Sequence, residues 1–370
     1  MRLFTPFLSI LTMLFFISCK KNTQQKNDPI TVKAKENYFI YSGRIDTTQN
    51  GDIVLIGSAS SAKFKASGNH CTVELKNRSQ APHSFVSIEI DGEYIKRIKV
   101  EGNEFKPYKI ELNTDKEFQT VAIYKATEAQ NGDIIFGSVT SKKAYPIVQK
   151  ERKKIEFIGN SITCGMGVDY EEIPCETGEW FDQHNAYFAY GPRIGRILDV
   201  DYMLSSSSGI GIYRNWDVDG PVMPDVYENR YLNTDSTQTW DFKKFSPDLV
   251  SICLGTNDLS DGDGIHPRLP FDSEAYTKKY IEFINTVYNH YPNIQIALLS
   301  SPMLEGEKAE ILNKCLENIK SHFDDKKVEK SIAIYTFNER LANGCSTHPD
   351  MNDHELIAKK LAPFYKNLLK

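Results

Sequence analysis

The sequence has no surplus of positive charge: 44 Lys and Arg stand against 49 Asp and Glu, a formal net charge of -5. A nucleic acid or an anionic membrane face therefore finds no complementary surface, and no nucleic-acid partner is expected. Cysteines are few, 7 in 370 residues, and no pair shows the C-x-x-C spacing of a metal knuckle, so no metal is expected. No apolar run reaches the roughly 20 residues of a membrane-crossing helix. No internal repeat is evident. What is present is an ordinary globular composition, 40% hydrophobic and 25% charged, long enough for two domains with separate cores.

The N-terminus reads as a targeting segment over residues 1–18: Arg2 supplies a positive end and Leu3–Ile17 is apolar but short. Ser18 before Cys19 resembles a lipoprotein processing site, with a plain signal peptide as the alternative. On the lipoprotein reading Cys19 carries the lipid and residues 19–36 form a polar tether. The chain is then periplasmic, or anchored at the outer membrane or cell surface, and meets the membrane only through that anchor. The remaining cysteines, Cys71, Cys164, Cys175, Cys253, Cys315 and Cys345, are even in number and permit disulfides, but spacing does not reveal the pairing. Cys253 in an apolar strand and Cys315 on a helix face read as buried thiols.

Residues 37–148 carry short alternating strands cut by turns. Val86, Ile88 and Ile90 alternate with Ser87 and Glu89, and Asp91-Gly92 follows as a hairpin signal. An all-β sandwich or jelly roll is predicted. From residue 149 to 370 strands alternate with amphipathic helices. Strands are expected at Ile155–Ile158, Asp201–Leu204, Leu249–Leu254, Ile294–Leu299 and Ile332–Tyr335. Helices are expected at Tyr187–Leu198, Tyr276–Tyr291, Glu307–Phe323 and Asn352–Leu368. This is an α/β domain with a parallel sheet whose strand ends can carry a site.

Four features fall at those strand ends. Gly159-Asn160-Ser161 follows the first strand, where a serine at a tight turn can present its hydroxyl; a helix N-cap is the ordinary alternative. Ser208-Gly209-Ile210-Gly211 follows the second, with glycines that let backbone N–H groups approach a ligand oxygen. Gly255-Thr256-Asn257-Asp258 ends the third; the Asn257 amide can donate to an oxyanion, or simply hold a turn. Thr347-His348-Pro349 precedes the last helix and brings an imidazole to the same edge.

Singly these are unremarkable; in this order they resemble the SGNH (GDSL-like) hydrolases, and most closely carbohydrate esterase family 2. The likeness extends through Glu156–Gly167, Ser208–Asn215, Gly220–Asp225 and the N-terminal Tyr41–Asp46. It implies a β-sandwich followed by a three-layer SGNH α/β domain, acting without metal or organic cofactor on acetyl esters of polysaccharides such as mannan or xylan. It also implies roles. Ser161 is the nucleophile and His348 its base. The Ser161 N–H, the Gly209 N–H (Gly211 as alternative) and the Asn257 amide form the oxyanion hole. An acetylated carbohydrate is the expected partner, and a monomer is expected.

One departure matters. The positions before the histidine hold Cys345, Ser346 and Thr347, where relatives carry an acid and a Trp. A Ser–His dyad with an unknown orienting group is therefore expected. Asp350 and Asp353 lie beyond Pro349, toward the helix start. Without that Trp, sugar contact could fall to Trp180, Phe181, Tyr213 or Trp216, each of which can instead be a packing residue; Arg214 and Asn215 are candidates for shaping the cleft. Asp258 is expected to fix its turn, and Cys164 could pair with Cys175. An SGNH esterase of other acyl class and a decayed glycan-binding surface protein are the competing readings.

Overall fold

The computed structural model describes residues 1, 28–217, 219–326 and 330–370. Cys19 and the expected targeting segment ahead of it, Met1 apart, therefore lie outside the described residues.

The N-terminal half carries β1 (Ile30–Lys33), β2 (Phe39–Ser42), β3 (Ile45–Thr47), β4 (Ile53–Leu55), β5 (Ser61–Ala66) and β6 (His70–Arg78). It continues through β7 (His83–Ile90), β8 (Glu93–Glu101), β9 (Lys106–Glu111), β10 (Gln119–Lys125), β11 (Asp133–Ser141) and β12 (Ala144–Tyr145). They form two antiparallel sheets, β3-β4-β11-β6-β9 with β1 beside β11, and β12-β5-β10-β7-β8 with β2 beside β5. Alternate residues of the facing sheets, among them Phe64, Val86, Ile88, Val121 and Ile123 with Val73, Leu75, Ile134 and Phe136, fill the core between them.

One expectation needs correction here. Ile30–Lys33, read as tether, pairs antiparallel with residues 138–141 and buries Val32. Ile-Thr-Val-Lys is β-prone, and the long strand β11 offers it a free edge. In β7 the polar alternates do not face water: all eight residues are buried, Ser87 completely. Their outer face is covered by the second half of the chain, with the Ser87 hydroxyl donating to Asn185 Oδ1 at 2.7 Å and the Tyr187 hydroxyl to Glu89 at 3.1 Å.

The second half runs β13 (Lys154–Gly159), α1 (Ser161–Cys164), α2 (Tyr190–Leu198), β14 (Asp201–Ser206), α3 (Met223–Val226) and β15 (Leu249–Cys253). It ends with α4 (Ser273–His290), β16 (Gln295–Leu299), α5 (Gly306–Asp325), β17 (Ala333–Tyr335) and α6 (Met351–Leu368). The five parallel strands lie in the order β14-β13-β15-β16-β17. α2 and α6 cover one face through Ile194, Ile357 and Leu361, and α4 and α5 cover the other through Phe283, Val287, Leu312 and Leu316. With both faces covered, β15 is buried at every residue, which is why it reads as one apolar run. The strand order reverses at β13, and a crevice opens at the carboxyl ends of such strands.

The helix expected from Tyr187 starts instead at Tyr190, because Ala189 is extended (φ -61°, ψ 154°) and the Tyr190 N–H donates to His354 Nδ1 at 3.2 Å. Polar wedges join the halves. Arg44, fully buried, donates from the sandwich to the Asn229 carbonyl at 2.7 Å and to Ser205 Oγ at 3.2 Å. Arg97 donates to the carbonyls of Asp182 and His184 at 2.6 and 2.8 Å. Cys71, Cys164, Cys253 and Cys315 are buried free thiols.

Candidate active site

Ser161 opens α1 directly after β13, the strand between β14 and β15. Asn160 caps the turn, its Oδ1 accepting from the Ile162 N–H at 3.1 Å, and Gly165 closes it in the left-handed region. Thr163 Oγ1 lies 2.9 Å from the Tyr190 hydroxyl, and Tyr190 stacks on His354, so the turn rests on a packed floor. Two residues before Ser161 only glycine fits: a Cβ on Gly159 would stand 2.1 Å from Thr163 Oγ1.

His348 arrives from the far end of the chain. Its Nε2 lies 2.8 Å from Ser161 Oγ, and its Nδ1 lies 2.9 Å from the Ser346 carbonyl oxygen. A carbonyl can only accept, so Nδ1 carries the proton and Nε2 presents its lone pair to the serine hydroxyl. The imidazole pKa is pushed down to about 4 by desolvation, with His184 disfavouring its charge and the Ser346 carbonyl partly countering both. At neutral pH it is an uncharged base.

The loop that supplies this carbonyl is strained and pinned. Ser346 and Thr347 both sit in the left-handed region (φ 51° and 56°), which costs a β-branched Thr most. Cys345 is held by a disulfide to Cys175 and by its N–H donating to the Gly167 carbonyl at 3.2 Å. A side chain at Gly167 would come within 2.7 Å of the Cys345 carbonyl oxygen, so the glycine permits the loop's approach. The Cys164–Cys175 pairing is thereby corrected: Cys164 is a buried thiol donating to Ser206 Oγ at 3.2 Å. Asp350 and Asp353 cap α6 reciprocally, and Asp353 also accepts from Asn343 at 2.8 Å, so both serve the helix start. His354 is a buried structural imidazole.

β14 and β15 flank β13, with Gly159 in register with Ser206 on one side and Cys253 on the other. The loops carrying Gly209 and Asn257 therefore leave the sheet beside Ser161. Gly209 is left-handed (φ +78°) and the Trp216 ring lies against it, within 2.8 Å of where a Cβ would stand. The Gly211 N–H is engaged by Asn215 Oδ1 at 3.2 Å. Asn257 donates from Nδ2 to the Ile210 carbonyl at 2.8 Å, tying its loop to the glycine loop. Asp258 is buried and accepts from the N–H groups of Ile212, Tyr213 and Arg214 at 3.0, 2.9 and 3.3 Å, bracing that loop as expected.

Tyr213, Arg214 and Asn215 take part in the same bracing. The Tyr213 hydroxyl accepts from the Asp272 N–H at 3.1 Å and its ring packs on Phe271 and Tyr276. Arg214 donates to the carbonyls of Asp258 and Leu269 at 2.7 and 2.6 Å, and Asn215 Nδ2 to the Pro221 carbonyl at 3.2 Å. Trp216 and Trp180 remain exposed, at 42% and 47%. The Ser346 carbonyl and the Cys175–Cys345 bridge escape sequence reading, since a backbone acceptor has no residue signature; Gly167 is the one signal that a chain approaches there.

A parallel sheet with a serine hydroxyl and an imidazole in contact at its carboxyl edge, joined to a β-sandwich, belongs to a serine carboxylic ester hydrolase of SGNH architecture. The comparisons narrow this. Residues 155–361 match the GDSL-like lipase/acylhydrolase family and residues 41–149 the N-terminal region of carbohydrate esterase 2, and the chain belongs to carbohydrate esterase family 2. An acetylxylan esterase / glucomannan deacetylase of Cellvibrio japonicus is 23% identical over 374 residues, covering 100% of this chain and 99% of that protein. Another of the same description and organism is 30% identical over 250 residues, covering 65% of this chain and 67% of that protein. The structure of a family two carbohydrate esterase from Clostridium thermocellum matches with a TM-score of 0.79 at 24% identity, covering 90% of this chain and 99% of that one.

Proposed function

We propose that the protein hydrolyses O-acetyl esters on polysaccharides or oligosaccharides of the xylan or mannan type, through a Ser161–His348 dyad. The 2.8 Å contact between His348 Nε2 and Ser161 Oγ, with Nδ1 held by a carbonyl, carries the reading. Ser161 Oγ attacks the acetyl carbon while its proton moves to Nε2. The sugar oxygen then leaves with that proton, and water, deprotonated by the same nitrogen, releases acetate from the serine. The developing oxyanion is received by the N–H groups of Ser161 and Gly209 and by Asn257 Nδ2, which has a second proton beyond the one given to Ile210. Engagement of the Gly211 N–H by Asn215 favours Gly209. Loss of one such donor costs about 3 kcal/mol of transition-state stabilisation. Trp216 and Trp180 are the aromatic surfaces on which a sugar ring can stack.

The names of the two Cellvibrio relatives support this substrate class. Acetate release from acetylated glucomannan and xylan, measured for wild type and Ser161→Ala side by side, tests it; activity that survives the substitution removes Ser161 as nucleophile. Export and lipidation at Cys19 form a separate proposal, tested by metabolic labelling with a fatty acid in wild type and Cys19→Ala. A monomer is likewise proposed, tested by light scattering.

A further inference from the structure

We propose that the β-sandwich completes the active site: Glu128 and Gln130 are positioning residues that aim the Gly209 N–H into the oxyanion hole. The inference rests on the Ser161-centred reading above and deepens it. Both residues lie where β10 returns toward β11, and both reach across the junction to a single residue of the hydrolase half, Ser208. Glu128 Oε2 accepts from the Ser208 N–H at 2.8 Å, and Gln130 Nε2 donates to the Ser208 carbonyl at 3.4 Å. Gln130 Nε2 also donates to Glu128 Oε1 at 2.5 Å, so the two side chains act as one clamp.

The carbonyl of Ser208 and the N–H of Gly209 belong to one planar trans peptide and point in opposite directions. Turning that carbonyl toward the sandwich turns the Gly209 N–H away from it. The clamp is rigid at its root. The Glu128 carbonyl accepts from Lys125 Nζ at 2.6 Å, its N–H donates to Asn131 Oδ1 at 3.3 Å, and the carboxylate is fully buried. Burial would raise its pKa, but His184 (Nε2 3.8 Å from Oε1), Cys164 and Gln130 hold it down to about 2, so it is charged at working pH. Cys164 lies three residues past Ser161, and its thiol pKa is raised by burial and then by Glu128. The same carboxylate thus abuts the nucleophile turn and the glycine loop.

Gln130 is exposed, so Gln130→Ala tests the clamp without opening a core. We expect kcat on an aryl acetate, per active site titrated with a serine-directed phosphonate, to fall roughly fivefold, with KM within twofold. Glu128→Leu should lose roughly 100-fold, and Glu128→Gln, which keeps an acceptor oxygen, should recover part of that. Affinity for an alkylboronic acid, which places an oxygen in the hole, should fall in step with kcat/KM across the series. A merely structural role would change the number of titratable sites and the melting temperature but not kcat per site. Values of kcat per site within twofold of wild type for Gln130→Ala and Glu128→Gln, with Ser161→Ala inactive, overturn the clamp alone. Activity in Ser161→Ala overturns the reading beneath it.

Discussion

The serine turn and the histidine loop meet at 2.8 Å, yet they are held by opposite means. Ser161 sits in a turn built from its own neighbours: a strand ending in glycine, an Asn N-cap that accepts from the N–H two residues on, a left-handed Gly to close. Its only left-handed residue is the closing glycine, Gly165. His348 sits in a loop with two successive left-handed non-glycine residues, fastened by a disulfide across 170 residues of sequence. An imidazole can thus be aimed without a carboxylate when a main-chain carbonyl is fixed firmly enough. The fixing is then done by covalent and packing constraints rather than by charge.

Four measurements would break or sharpen that contrast. The largest effect belongs to the shared contact: Ser161→Ala and His348→Ala should each lower kcat/KM by on the order of 10⁴-fold or more, and the double variant scarcely further. A double variant that multiplies the two losses would show that the residues do not act as a pair. Next, removing the bridge with Cys175→Ser and Cys345→Ser together should cost about 3 kcal/mol in urea unfolding and roughly tenfold in kcat. Unchanged kcat would mean that the loop holds its carbonyl without the bridge.

The pH profile comes third. A base with its pKa pushed down to about 4 is active while neutral, so kcat/KM should stay level from neutrality down to about pH 5 and halve near pH 4. An acid limb near the ordinary histidine value would show that the site does not desolvate the ring. The smallest effect is Thr347→Gly. Relief of a left-handed β-branched residue gains roughly 1–2 kcal/mol, partly offset by a freer unfolded chain, so net stability should rise by less than about 1 kcal/mol. Activity should fall a few-fold as the Ser346 carbonyl loosens. Higher stability with full activity would show that strain at 347 has no part in aiming the base.

The same contrast explains what could be read in advance. The division into two halves, the parallel sheet and the Ser161, Gly209, Asn257 and His348 loops are written in local patterns: alternation, apolar runs, and Gly or Asn at strand ends. Where the meaning depended on a partner far along the chain, local pattern failed. The burial of Ser87 and Glu89 is not written in β7, because nothing in that strand announces that the 182–188 segment covers them. Ile30–Lys33 looked like tether because its partner β11 lies about a hundred residues away. The Ser346 acceptor is backbone, and spacing singles out no partner for Cys175. Glu128 carries no motif at all; only the junction gives it a role.

The free thiols allow the order in which this molecule comes apart to be followed residue by residue. Cys71 lies between the two sheets of the sandwich, Cys164 beneath the nucleophile turn, Cys253 in the central parallel strand and Cys315 under the outer helices. Alkylation of each, timed by peptide mass spectrometry under native conditions, reports the opening of its own layer. Should Cys71 and Cys164 react together and ahead of Cys253, the sandwich and the serine turn would share one cooperative unit, and ageing or heat would silence the enzyme before its central sheet had begun to open.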